Sequence, residues 1–329
     1  MKINRILCPT DLSTDPDGAL AYALALAKAN DAKLVVCYCV KASNIVAPVD
    51  LPISSPHLAE VAYARSRGRM KELFEGSLLH LLGPVSFANL EWEAMVVEGE
   101  DVGEVITQTA SEQAIDLIVM RSRRRPHRAA VLGSTAESVC RTAPCPVLIT
   151  HSDERDWQFR TDNDVSIERL LVAYDFSDYA ELAFKYALSL AQEHQAELHL
   201  LHVLPRGSVS EPELSWYPLG KDSAYQEAAR RLQKMIPPEA HLWCQIKTAI
   251  AEGPAYREIL NYAEKEKIDL ISLGAHGTGF GFRTLFGSNV DRVLRQAPCP
   301  VLVARPLKPA VRESLSSAKG AKYESQGQA

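Results

Sequence analysis

Short runs of consecutive apolar residues alternate along the chain with longer stretches in which apolar positions recur every three or four residues. Arg169–Tyr174 is a short, nearly all-apolar run, the pattern of a parallel strand buried on both faces. Ser177 is placed to N-cap a helix running to about Gln195, with Leu182, Tyr186 and Leu190 at helical spacing. Glu197–Leu204 reads as a second strand. A loop rich in Pro, Gly and Ser follows, then a helix near Ser223–Met235 that Pro237-Pro238 stops. Trp243–Ile250 is predicted as a third strand, Ala255–Lys265 as a helix and Asp269–Leu273 as a fourth strand. A helix near Asn289–Arg295 precedes a fifth strand, Pro300–Ala304. Strands alternating with helices in this order predict a doubly wound parallel sheet, with helices on both faces and ligand sites at the carboxyl ends of the strands.

The same pattern occurs twice. Arg141-Thr142-Ala143-Pro144-Cys145-Pro146-Val147-Leu148-Ile149 returns 154 residues later as Arg295-Gln296-Ala297-Pro298-Cys299-Pro300-Val301-Leu302-Val303. Gly133-Ser134 returns at the same shift as Gly287-Ser288, and Ile115-Asp116-Leu117-Ile118 returns as Ile268-Asp269-Leu270-Ile271. Near the start, Arg5-Ile6-Leu7-Cys8-Pro9-Thr10-Asp11-Leu12-Ser13 matches Arg169-Leu170-Leu171-Val172-Ala173-Tyr174-Asp175-Phe176-Ser177. Matches in one order at a nearly constant shift define a tandem duplication. The fold class expected is therefore α/β, two tandem doubly wound parallel five-stranded sheets of Rossmann-like type. The first domain is expected over 1–151, a polar linker over 152–166 and the second domain over 167–306. Residues 307–329 are poor in large apolar positions and read as a disordered tail. His57–Leu82, in the first copy, reads as an amphipathic sheet-covering helix whose continuity Gly68 and Gly76 weaken.

Composition narrows the function. The chain has 329 residues and a net charge of -5, which argues against a nucleic-acid partner, since such proteins carry a basic excess. No run of 18 apolar residues is present, so no membrane span is expected. Met1–Leu7 leads straight into strand-like sequence without the apolar stretch of a signal peptide. The seven cysteines are odd in number and scattered in apolar runs, as small buried side chains in a reducing cytoplasm are. Cys37-Tyr38-Cys39 is read with its two thiols on opposite sheet faces, which argues against a redox pair. His199 and His202 have no Cys or His partners at zinc spacing, so no metal site is expected. There is no Gly-x-Ser-x-Gly elbow and no nucleophilic triad; His276 reads as a structural or positioning residue.

The most informative loop is Gly274-Ala275-His276-Gly277-Thr278-Gly279-Phe280-Gly281-Phe282-Arg283, which ends in Gly287-Ser288-Asn289. It follows a predicted buried strand and opens a predicted helix. Glycines there are expected to bend the backbone through positive φ and bring N–H groups close to a ligand. Gly287-Ser288 stands where a helix N-terminus presents unpaired donors to an anion. The loop is not a Walker A motif, lacking Gly-Lys-Ser/Thr, nor the usual dinucleotide fingerprint, since it follows the fourth strand and not the first.

A strand ending in Asp-Phe-Ser, a second ending in Leu-His-Val, and Gly-x2-Gly-x9-Gly-Ser together resemble the universal stress protein family. The resemblance covers both halves and implies a tandem member with an adenine nucleotide alpha hydrolase-like fold. In the ATP-binding branch the glycine loop and Gly-Ser hold ribose and phosphates, while the strand-one Asp and strand-two Val frame the adenosine. Carried over, the implied nucleotide-binding residues are Asp175, Val203, Gly274, Gly277, Gly287 and Ser288, with Leu273 and Asn289 flanking and Ala173 and Thr278 as further contacts. From the residues alone, Asp175 is equally readable as a turn or capping acid and Val203 as core. The implied ligand is ATP, with or without Mg²⁺, and the implied role a stress-response regulatory module. A slow Mg-dependent ATPase and a nucleotide-independent scaffold are the alternatives. The two repeats are expected to pack as a pseudo-dimer, with Pro146–Ile149 and Pro300–Ala304 near the shared interface and a homodimer left open. In the first repeat, Arg121 and Arg124 replace Gly274 and Gly277, and Cys39 replaces Val203, while Asp11 and Gly133-Ser134 are retained. Arginine disfavours positive φ, so that cradle is expected to be lost and the site empty. The Arg121–Arg128 run is alternatively a side-chain phosphate clamp.

Overall fold

A computed structural model describes residues 2–11, 18–40, 68–80, 87–122, 132–151, 167–205, 221–276 and 287–306. The first half runs β1 (Arg5–Thr10), α1 (Gly18–Ala29), β2 (Lys33–Val40), α2 (68–80), β3 (Trp92–Glu98), α3 (Val102–Glu112), β4 (Leu117–Arg121), α4 (Ser134–Thr142) and β5 (Val147–Thr150). The second runs β6 (Arg169–Ala173), α5 (Asp178–His194), β7 (Glu197–Leu204), α6 (Lys221–Met235), β8 (Ile246–Glu252), α7 (Ala255–Lys265), β9 (Leu270–Gly274), α8 (Ser288–Gln296) and β10 (Val301–Ala304).

Each half places its strands in the same order, with the first strand between the second and the fourth: β3-β2-β1-β4-β5 and β8-β7-β6-β9-β10. Pairing within each half is parallel. The chain direction of the strand order therefore reverses between β1 and β4, and again between β6 and β9, which opens a crevice at the carboxyl edge of each half. The halves meet through β5 and β10, which pair antiparallel with Ile149 opposite Val301, Leu148 opposite Leu302 and Val147 opposite Val303. The two predicted five-stranded sheets thus continue into one ten-stranded sheet.

Strand residues alternate between two cores. Leu170 and Val172 face the layer containing α1 and α5, whereas Leu171 faces α7 and α8. Both layers run through the two halves, and β5 and β10 are buried along their whole length. That double burial explains why these strands read as continuous apolar runs.

The duplicated Ile-Asp-Leu-Ile has a structural reason. Asp116 Oδ2 accepts the Asn4 and Arg5 N–H groups at 2.7 and 3.0 Å. Asp269 Oδ2 accepts those of Glu168 and Arg169 at 2.9 and 2.8 Å. Each carboxylate ties the start of its half's first strand to the start of the fourth. A further tie crosses between the halves. Arg305, just past β10, donates Nε–H to the Ala143 carbonyl at 2.9 Å and Nη1–H to the Cys140 carbonyl at 2.8 Å. These are orphan acceptors at the C-terminus of α4, where a cation also meets the negative end of the helix dipole. The Arg305 carbonyl in turn accepts the Tyr186 hydroxyl at 2.9 Å.

Two expectations need correction. The third strand of the second half starts at Ile246, not Trp243, because a 3-10 turn over Pro238–Leu242 leaves Leu242 and Trp243 78% and 63% exposed. Their apolar character does not mark burial. Cys37 and Cys39 lie on the same sheet face, as alternate strand residues must. In α2, Phe74 and Leu78 are the buried positions; residues 57–67 and 81–82 of the predicted helix lie outside the described residues. So do the linker 152–166 and the tail 307–329.

Candidate functional site

A cavity of about 340 Å³ opens at the carboxyl edge of the second half, at the switch point between β6 and β9. β6 and the turn after it supply Ala173, Tyr174 and Asp175; β7 supplies Leu201, His202 and Val203; β9 supplies Leu273 and Gly274. The floor is completed by Ala255 and Ile259 of α7, and the N-terminus of α8 contributes Gly287, Ser288, Asn289, Val290 and Val293. Of the residues implied by the sequence, the structure brings together Ala173, Asp175, Val203, Leu273, Gly274, Gly287, Ser288 and Asn289. Gly277 and Thr278 lie outside the described residues.

The turn after β6 is built around Asp175. Its Oδ1 accepts the Ser177 N–H at 3.1 Å and the Ser177 hydroxyl at 2.6 Å, and Ser177 Oγ accepts the Ala180 N–H at 3.1 Å as the N-cap of α5. Asp175 is thus a turn acid and a cavity residue at once. The turn forces Phe176 into the left-handed region at φ 64°, a conformation that costs a non-glycine residue about 1–2 kcal/mol. The ring is held there by Tyr174 edge-on at 5.3 Å, His202 at 4.7 Å and the Arg231 guanidinium at 3.9 Å over its face.

Gly274 is required for a reason other than the one the sequence suggested. Its φ is not positive; among the described glycines only Gly253 is so placed. A Cβ at Gly274 would instead stand 2.7 Å from the Tyr179 carbonyl carbon and 3.0 Å from the Ala180 nitrogen. The end of β9 passes against the backbone of α5, and only glycine allows that approach. Gly287 also has ordinary backbone angles, φ -54° and ψ 131°, and a Cβ there would meet nothing closer than 3.5 Å. Neither glycine therefore forms a positive-φ cradle, and the argument that arginine would destroy one at Arg121 does not hold. The α8 N-terminus still presents backbone donors without intrahelical partners.

The first half differs where these donors lie. The Gly133 N–H donates to Ser122 Oγ at 3.3 Å. Ala275 stands at the corresponding place in the second half and has no hydroxyl to offer Gly287. Cys39 occupies the Val203 position and Arg121 the Gly274 position. The Arg run from 123 onward lies outside the described residues.

Sequence reasoning missed His202, Tyr174 and the α7 wall. His202 donates Nδ1–H to the Tyr174 carbonyl at 2.7 Å, which fixes the ring against the cavity and leaves Nε2 as its second polar atom. Ala255 and Ile259 are an i, i+4 pair, and that spacing was the available signal. His199, by contrast, does not line the cavity. It is fully buried, with Nδ1 at 2.9 Å from the Tyr262 hydroxyl and Nε2 at 3.3 Å from Glu197. Burial pulls its pKa below the ordinary 6.5. Lys247 beside Glu197 holds that carboxyl below its usual range.

Chemically, the cavity combines apolar walls from Ala, Val, Leu and Ile with one carboxylate and a helix N-terminus. Such a set accepts a flat apolar group bearing hydroxyls and an anion. Among the described residues no group of three or more His, Cys, Asp or Glu is placed to hold a metal, and no helix is long and apolar enough to cross a membrane.

Comparison with known proteins agrees with this architecture. The family model described as the universal stress protein family matches residues 2–151 and again 166–305. Universal stress protein MJ0531 of Methanocaldococcus jannaschii is 35% identical over 143 residues, 42% of this chain and 82% of that protein. A universal stress protein of Mycolicibacterium smegmatis is 24% identical over 308 residues, covering 92% of this chain and 97% of its own. The crystal structure of a universal stress protein from Archaeoglobus fulgidus superposes with a TM-score of 0.63 at 23% identity, over 94% of this chain and 100% of that one. Two successive matches on one chain, each ending in the strand that joins the halves, place this protein in the universal stress protein family as a tandem member.

Proposed function

We propose that the second half is an adenine-nucleotide-binding module, with ATP as its ligand, and that the chain acts as a regulatory protein whose state depends on occupancy of that one site. The observation that carries this reading is the convergence of eight implied contact residues, from β6, β7, β9 and α8, on a single cavity at the switch point. Its volume of about 340 Å³ suits a small molecule. The base would lie between Val203, Leu273 and Ile259, the ribose hydroxyls near Asp175, and the phosphates on the N–H groups of Ser288 and Asn289. A Mg²⁺ would arrive on the nucleotide, held by its phosphates and by water. Asp175 Oδ1 already accepts two hydrogen bonds from Ser177, which suits it to holding a ribose more than to activating water. The first half, with Ser122 on Gly133 and Cys39 and Arg121 in the cavity positions, is read as its non-binding partner.

The test is a thermal titration with ATP and AMP, together with chromatography and mass detection of any nucleotide released from denatured protein. A ligand at 100 times its Kd adds about 2.7 kcal/mol to stability, so binding appears as a clear rise in Tm. Val203→Trp fills the base region from a half-buried position and is expected to abolish the rise while leaving the fold intact. Absence of any shift in the wild type would refute the reading in favour of a nucleotide-independent scaffold.

A further inference from the structure

Beside the cavity, α7 and α8 carry an arrangement that the functional reading leaves unused. Tyr256, the residue after cavity-lining Ala255, is flanked by two guanidinium groups. Arg292 lies over its ring with Cζ 4.7 Å from the centroid. Arg257 donates Nε–H to the Tyr256 hydroxyl at 2.9 Å and has Cζ 5.8 Å from the same centroid. Both arginines are exposed. Among the described residues neither meets a carboxylate: Asp291, next in sequence to Arg292, is taken by Arg295 at 2.7 Å, and Glu258 lies over Gly253. Two positive charges are thus held beside Tyr256 with no carboxylate among the described residues paired to them.

Their position follows from helix geometry. Arg292 is four residues after Ser288 and three after Asn289, so the three share a face. Its Cα stands about 6 Å further along the axis than that of Ser288, and helical side chains lean back toward the N-terminus. An anionic chain whose first phosphate rests on the α8 N-terminus would carry its outer phosphates toward Arg292. The first half lacks the arrangement. There Gly103 and Glu104 stand at the Tyr256 and Arg257 positions and Ser138 at the Arg292 position, and a Cβ on Gly103 would stand 2.7 Å from Ser138. One half closes its two helices directly on each other and adds an acid; the other separates them with an aromatic ring and adds two arginines.

We infer that Arg292 and Arg257, set on Tyr256, form a polyphosphate subsite at the rim of the second-half cavity and make it select nucleoside polyphosphates over monophosphates. The inference rests on the adenine-nucleotide reading of that cavity. The guanidinium fork binds phosphate oxygens in a bidentate manner, and stacking on tyrosine fixes its plane before the ligand arrives.

Calorimetric titration with AMP, ATP and inorganic tripolyphosphate, in the presence of EDTA, tests it on the wild type, Arg292→Gln, the double variant Arg257→Gln/Arg292→Gln and the control Arg295→Gln. Near-UV circular dichroism verifies that each variant is folded. The wild type is expected to prefer ATP to AMP, and Arg292→Gln to weaken ATP by about tenfold, the loss of one hydrogen bond to a charged group. AMP binding is expected to be unchanged in every variant, and Arg295→Gln to behave as wild type. An ATP preference that survives in the double variant overturns the inference, as does an equal loss of ATP and AMP. If the wild type binds neither nucleotide, the adenine reading fails. In that case tripolyphosphate binding lost in the double variant keeps the rim as a polyphosphate site, and no tripolyphosphate binding removes it as well.

Discussion

Replacing Arg305 with methionine tests whether the junction between the halves is held by a helix cap as well as by the β5–β10 ladder. The stem of the side chain is kept, and the two hydrogen bonds to the Cys140 and Ala143 carbonyls are lost. Each bond from a charged donor contributes about 1.5–3 kcal/mol, and an acceptor left unsatisfied costs about 1–3 kcal/mol. Part of this is offset, because burial already disfavours the guanidinium and pushes its pKa down; methionine relieves that desolvation. A net loss of about 2–4 kcal/mol follows, which corresponds to a fall in Tm of about 3–6 °C for a chain of this size. Arg305→Lys retains a charge without the fork and should fall between the two. Calorimetry gives the Tm, and amide exchange locates the effect: the N–H groups of Val147–Ile149 and Val301–Val303 should exchange faster, while β2 and β7 stay protected. A Tm change of less than about 1 °C, within the range of ordinary surface substitutions, would mean that the cap contributes nothing and the strands alone join the halves.

Two further outcomes follow from single residues. Gly274→Ala should destabilise by about 1–3 kcal/mol, since its Cβ would stand 2.7 Å from the α5 backbone. Gly287→Ala, with 3.5 Å to its nearest neighbour, should change stability by less than about 0.5 kcal/mol; denaturant unfolding separates the two, and equal effects would contradict the packing account. His199 is kept neutral by burial, so its proton is taken up by the unfolded chain first. Its contribution is whole above pH 6.5 and is lost as the pH falls below that value. In His199→Val, which copies Val35 of the first half, the Tm should fall less than in wild type between neutral pH and the point where carboxylates begin to protonate; parallel curves would remove His199 as the source.

What can be read along the chain follows from interactions close in sequence. Strand runs such as Leu170–Val172, the Ser177 cap and the α7 helix depend on local periodicity and on a single hydrogen bond to a neighbouring turn, and the structure places them as the residues predict. The duplication is legible because both copies retain the same loop residues. Leu242 and Trp243 mark the limit of that reading: apolar character predicts burial only on average, and a 3-10 turn exposes both. In the cavity, Asp175, Val203, Leu273 and Gly287-Ser288 were accessible from motif and position. His202, and Tyr256 beside the cavity, were not, since what distinguishes them is a contact with an element 28 residues upstream for one and with a neighbouring helix for the other.

The tertiary structure decided the direction and register in which the halves join, and why particular residues cannot be exchanged. Nothing near β5 or β10 in sequence states that they pair antiparallel, because the hydrogen bonds that do so link residues about 150 apart. Arg305 resembles any polar residue after a strand until α4 of the other half is brought beneath it. Gly274 has the composition of a flexible loop, yet its role is set by the backbone of α5 passing 2.7 Å from where a side chain would be. The sequence by itself determined the elements, their repetition and the chemistry available at the strand ends. Packing determined which of those groups share one cavity, because proximity across a sheet carries no local signature in the chain.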